Sequence, residues 1–122
     1  MNARQYINTY YSKMTSNDIK QICHQSLSAI AFCHENNIIH RDVKLDNILL
    51  SIDQDGKVFD VKLADFGKAI RIDDVKELRG ICGTVGYMAP EMMSKKQIYG
   101  KEIDCWCMGI CLYGLISGTM PF

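Results

Sequence analysis

The sequence predicts a mainly helical fold with a small antiparallel β element, an α+β arrangement, on three observations. Residues Ile19, Ile22, Cys23, Ser26, Leu27, Ile30 and Cys33 recur at three- and four-residue spacing, the signature of one buried helix face. The run from Ile103 to Ile116 is strongly apolar and long enough for a core helix. Between them lie short apolar stretches, Ile38-Ile39, Ile48-Leu49-Leu50, Val58 and Val61-Lys62-Leu63, separated by polar and turn-forming residues.

In chain order, Arg4 to Lys13 is polar and aromatic and reads as a short helix and a turn. Thr15 or Ser16 can cap the next helix, with Asp18 near the positive end of its dipole, and Asn36-Asn37 ends it after Glu35. Asp53-Gln54-Asp55-Gly56 turns one strand back on the next. Gly67 to Gly86 carries a dense group of charges between Arg71 and Glu77, plus Gly80 and Gly83, without a clean period, and is expected to be a mobile loop. A short polar helix is expected after Pro90. The apolar helix then closes at Ser117-Gly118, before Pro121. That run is shorter than the ~20 residues a membrane span needs and has Asp104 at its start, which favours a buried helix over a membrane one.

At 122 residues the chain is one domain or part of one, and its 14 basic and 14 acidic side chains balance. That balance gives no sign of a nucleic acid or membrane surface as partner, so any phosphate site must be local. Six cysteines without a signal peptide are expected to be reduced thiols of an intracellular protein, in cytoplasm or nucleus. Zinc is disfavoured, because Cys105 and Cys107 fall on different helix faces and no paired CxxC accompanies them.

The stretch that carries chemistry is His40-Arg41-Asp42-Val43-Lys44-Leu45-Asp46-Asn47, a polar loop anchored by apolar pairs at both ends. In an extended loop, residues two apart project to the same side, so Asp42 and Lys44 can face one site as carboxylate and cation. Asn47 and the carboxylate of Asp65, in Ala64-Asp65-Phe66-Gly67, add the hard oxygen ligands that Mg²⁺ accepts alongside phosphate oxygens.

These motifs, with Ala89-Pro90-Glu91 following at the expected distance, resemble the catalytic loop, magnesium motif and activation-segment end of eukaryotic-type protein serine/threonine kinases. Asp104, Trp106, Gly109, Leu112-Tyr113 and Gly118 resemble the central buried helix of that family, and the subgroup stays open, calcium/calmodulin-kinase-like or related. The resemblance runs from about Gln5 to Phe122. Residues 1–122 are thus expected to form part of a kinase domain: linker helix, catalytic loop, magnesium loop, activation segment and central helix.

The resemblance implies Mg²⁺-dependent transfer of the γ-phosphoryl group of ATP to protein Ser or Thr hydroxyls. In it Asp42 takes the hydroxyl proton, Lys44 steadies the phosphoryl group, and Asn47 and Asp65 hold Mg²⁺. It also implies that Thr84 bonds both Asp42 and Lys44, and that Asp104 braces the catalytic-loop backbone beside His40 and Phe66. Leu49 matches a position that packs under the adenine ring, but fits a plain strand core equally well. Lys44 and the stretch from Gly83 to Glu91 agree with the serine/threonine class rather than the tyrosine class. Asp46 resembles kinases that favour a basic residue upstream of the target.

Other expectations concern what surrounds the site. The family's glycine-rich lobe and last large-lobe helices have no match here, so activity is expected to need that small lobe from the same or another chain. Apolar surface is expected to be exposed, and Glu91 is expected to lack its usual arginine. Between Asp65 and Thr84 no residue bears a hydroxyl, so Arg41 is expected to find negative charge in Asp73, Asp74 or Glu77 rather than in a phosphate, unless those acids are simply solvated. The alternative to an enzyme is a truncated, non-catalytic binding or regulatory module.

Overall fold

The computed structural model describes residues 1–94 and 98–122. Helix α1 (Ala3–Tyr10) is followed by a 3₁₀ turn (Tyr11–Lys13), then α2 (Ser16–Glu35), β1 (Ile38–Ile39), β2 (Ile48–Ile52), β3 (Val58–Leu63), β4 (Ile70–Arg71) and α3 (Glu102–Ser117). Both caps of α2 follow from sequence. The Thr15 hydroxyl accepts from the Asp18 backbone N–H while the Asp18 carboxylate accepts from the Thr15 N–H, satisfying two donors that a helix start leaves open. At the other end Asn37 takes the left-handed conformation, φ 57°, which turns the chain into β1.

β2 and β3 pair antiparallel, with Ile48 opposite Leu63 and Leu50 opposite Val61, and the hairpin lies along α2. Ile48 and Leu50 point inward, and Leu49 points out. The main core gathers Tyr6, Ile22, Ile30, Ile48 and Leu50 against Met108, Cys111 and Leu115 of α3. Val43 and Leu45 enter the same core from the polar loop, fully buried. Burial of each contributes roughly 1.5–3 kcal/mol and pins the loop between its two apolar ends. Helix α3 ends where Gly118 adopts φ 73° and donates its N–H to the Gly114 carbonyl. No helix among the described residues is long and apolar enough to cross a membrane.

The segment expected to be a mobile loop is instead held at several points. β4 pairs with β1, Ile39 opposite Ile70, and Leu78 and Ala89 are buried in a second cluster with Ile39, Met92, Tyr99 and Ile103. Its partners come from distant parts of the chain, so the segment is ordered without having a period of its own. After Ala89 the chain makes one 3₁₀ turn, Pro90–Met93; the rest of the polar helix expected there reaches into residues outside those described. Apolar surface is exposed at Val85, Ile116 and Phe122, and the Phe122 ring lies parallel to Trp106 with centroids 6.2 Å apart.

Candidate active site

The loop between β1 and β2 is shaped from outside itself. Arg41 is forced into the left-handed region, φ 64°, a conformation costly for a side chain of this kind. The fully buried carboxylate of Asp104 holds it there. Its Oδ1 accepts the Arg41 N–H at 2.9 Å, and its Oδ2 accepts the His40 N–H at 2.9 Å and the His34 Nε2–H at 2.9 Å. The His40 ring lies edge-on to Phe66 at 4.8 Å and reaches the Ala64 carbonyl through Nε2 at 3.0 Å.

This backbone points Asp42 into a nest of donors. Its Oδ1 accepts from the Thr84 hydroxyl at 2.7 Å; its Oδ2 lies 3.0 Å from Lys68 Nζ and 3.3 Å from Lys44 Nζ. Lys44 also donates to Thr84 Oγ1 at 3.0 Å, so lysine, threonine and aspartate close a triangle. Burial by itself would raise the Asp42 carboxyl. Hydrogen bonds from Thr84 and Lys68 and the charge of Lys44 outweigh it, and the group titrates below its ordinary range. Asp42 is therefore an anion at neutral pH although nearly sealed from water.

Asn47 is buried beside it and donates its amide nitrogen to the Asp42 carbonyl at 2.9 Å, which leaves the amide oxygen as the atom able to bind a ligand. Ala64 N–H bonds the Asn47 carbonyl at 2.9 Å, so the Asp65 that follows stands at the same end of the hairpin. Asp65 is left-handed, φ 62°, exposed, and anchored by one bond from the Gly67 N–H to its Oδ1 at 3.3 Å. An amide oxygen and a carboxylate are hard donors that suit Mg²⁺. Among the described residues no cluster of three or more His, Cys, Asp or Glu could hold a metal.

The structure thus gathers Asp42, Lys44, Asn47 and Thr84 into one bonded group and places Asp65 at the hairpin end nearby. Leu49 lies on the outer face of β2 and is 44% exposed, which removes the plain core reading and leaves an open apolar surface. Asp46 meets Arg4 at 3.7 Å on the surface.

Of the two outcomes left open for Arg41, pairing with an acid is not the one found, and the acids of the segment lie exposed. Arg41 Nε donates to the Lys68 carbonyl at 2.6 Å and Nη1 to the Tyr99 hydroxyl at 3.4 Å. Asp73 instead pairs with Arg71 at 3.7 Å and Glu77 with Arg79 at 2.6 Å, both on the exposed surface. Each of these two acids has its cation two residues away, while Asp74 is exposed. Tyr99 also donates its hydroxyl to the Gly80 carbonyl at 2.9 Å, and so joins the segment to the loop.

Lys68, His34 and Tyr99 were not foreseen. A lysine or tyrosine in a loop gives no periodic signal, and His34 belongs to none of the motifs. Only the distant Asp104, Asp42 and Arg41 reveal their use.

Comparison with known proteins agrees with this geometry. A family model described as protein kinase domain matches residues 1–122. Calcium/calmodulin-dependent protein kinase type II of Caenorhabditis elegans is 45% identical over 105 residues, 86% of this chain and 14% of that protein. Serine/threonine protein kinase OSK3 of Oryza sativa subsp. indica is 40% identical over 110 residues, 90% of this chain and 21% of that protein. The crystal structure of the yeast RNA Pol II CTD kinase CTDK-1 complex contains a chain that superposes with a TM-score of 0.84 at 29% identity, covering all of this chain and 38% of its own. The chain therefore spans only 14% and 21% of those two relatives' length. With the match over its whole length and a loop built around Asp42, Asn47 and Asp104, the chain belongs to the protein kinase domain family.

Proposed function

We propose that the protein carrying this chain is a serine/threonine protein kinase, transferring the γ-phosphoryl group of ATP to Ser or Thr hydroxyls of other proteins with Mg²⁺. The observation that carries the reading is the nearly buried, anionic Asp42 with Thr84, Lys44 and Asn47 bonded around it. It favours an enzyme over a non-catalytic module, because a buried carboxylate kept ionised by converging donors is the arrangement a proton acceptor needs and a binding module does not.

Asp42 accepts the proton of the substrate hydroxyl as the hydroxyl oxygen bonds to phosphorus and the oxygen of the departing diphosphate leaves. Lys44, tethered by Thr84, supplies positive charge where the phosphoryl group passes. Asn47 and Asp65 hold the metal ion, and exposed Leu49 offers its side chain to the adenine ring. Bound ATP and Mg²⁺ supply the phosphoryl group and neutralise its oxygens. The small lobe that covers the nucleotide comes from the rest of the protein or from another chain. Asp46 prefers a basic residue upstream of the target, in competition with Arg4.

The test is phosphoryl transfer to serine and threonine peptides by the full-length protein. Asp42→Asn and Asp65→Ala are each expected to remove transfer, with nucleotide binding retained in the first and weakened with Mg²⁺ in the second. Transfer that survives Asp42→Asn at the wild-type rate overturns the reading.

A further inference from the structure

Lys68 contacts the proposed catalytic carboxylate directly, and neither the reaction nor the metal gives it a task. Its Nζ lies 3.0 Å from Asp42 Oδ2 and donates to the Gly83 carbonyl at 3.2 Å. Asp42 thus has three donors: Thr84 on one oxygen, Lys44 and Lys68 together on the other. A carboxylate has about four lone-pair sites, so a substrate hydroxyl that must also donate to Asp42 enters a crowded group.

The three donors are not equally fixed. Thr84 and Lys44 are bonded to each other, and the Lys44 side chain is only 20% exposed. Lys68 is 42% exposed and has, besides Asp42, one neutral carbonyl as partner. Its backbone is clamped by Arg41 at the Lys68 carbonyl, so the side chain can swing while its root stays in place. A displaced ammonium needs a new anion, because leaving Asp42 for water alone forfeits the ion pair.

We propose that Lys68 is a displaceable gate on Asp42, and that it selects substrates bearing an acidic side chain next to the acceptor hydroxyl. The hydroxyl takes the place of Lys68 on Asp42 Oδ2, and the substrate carboxylate takes over the ammonium at the mouth of the site. This rests on the kinase reading. It makes Lys68 a determinant of which hydroxyl is used.

The test employs the full-length protein and two serine peptides identical except for Ala or Asp beside the acceptor. The wild type is expected to favour the Asp peptide roughly threefold to fivefold in kcat/KM, the range of a partly exposed ion pair. Lys68→Met is expected to abolish that preference and to raise kcat/KM for the Ala peptide, while Lys68→Arg keeps the preference. The gate is overturned if the wild type shows no preference, or if Lys68→Met retains it. It is equally overturned if Lys68→Met loses transfer to both peptides while Lys68→Arg restores it, which makes Lys68 a contact to the phosphoryl group. If the wild type phosphorylates neither peptide and Asp42→Asn changes nothing, the kinase reading fails and the gate with it.

Discussion

Replacing Asp104 by Asn changes one atom and tests how the site is held. The carboxylate accepts three bonds, from Arg41 N–H, His40 N–H and His34 Nε2, each at 2.9 Å, and is fully buried. An amide with its oxygen toward His40 and His34 keeps two of them and turns an NH₂ group toward the Arg41 N–H. One charge-assisted bond is lost, worth about 1.5–3 kcal/mol, and a buried donor is left facing a donor, at a cost of about 1–3 kcal/mol. Because the two overlap, the expected loss is about 2–4 kcal/mol, a large part of the 5–15 kcal/mol typical of a whole domain. Urea unfolding measures it: with a slope of about 2 kcal/mol/M, the midpoint falls by roughly 1–2 M with the slope unchanged. A loss below about 1 kcal/mol at unchanged slope refutes the view that this carboxylate holds the loop.

Three further outcomes follow from the same geometry. Burial would raise the Asp18 carboxyl, but bonds from the Thr15 hydroxyl and N–H and from the Val58 N–H at 3.1 Å outweigh it, so the folded value lies below the unfolded one. Its stabilisation is therefore complete above the unfolded value near 4 and is lost as pH falls through the folded one; Asp18→Asn should be less stable than wild type at pH 7 and lose less on acidification to about pH 3 in a thermal melt. Gly56→Ala should cost roughly 1–2 kcal/mol or more by urea unfolding, since φ is +80° there and an added Cβ would stand 2.9 Å from Tyr10 Cε1. Thr84→Val removes the hydroxyl shared by Asp42 and Lys44 and should lower kcat by roughly tenfold to a hundredfold, with KM for the peptide changing less.

Much of this architecture was legible in the sequence for physical reasons. The face from Ile19 to Cys33 repeats, Thr15 and Asp18 form a cap by local bonds, and Asp53 to Gly56 carry their own turn chemistry, so each announces itself within a few residues. The spacing of Asp42, Lys44 and Asn47 suggested one shared site and the family resemblance added Thr84, and the structure brings the four side chains into contact. The segment after Asp65 was misjudged because its order comes from Ile39, Tyr99 and Ile103, far along the chain. For Arg41 the sequence left two outcomes open, an acid of the following segment or acids that are simply solvated, and the exposed Asp73 and Glu77 beside Arg71 and Arg79 fit the second. Lys68 was missed because a lone lysine is read as solvated until its distance to Asp42 is known.

The grip of Asp104 on two successive backbone N–H groups means that the shape of the loop is written more than sixty residues away from it. The buried Val43 and Leu45 and the amide of Asn47 hold the loop from within, but the turn at Arg41 is held by Asp104 from outside. On the kinase reading, a descendant that lost Asp42 would give up phosphoryl transfer yet keep the two backbone bonds to Asp104, whereas one that lost Asp104 would lose those bonds as well. The proposed chemistry and the shape of the loop thus rest on two different carboxylates, Asp42 and Asp104.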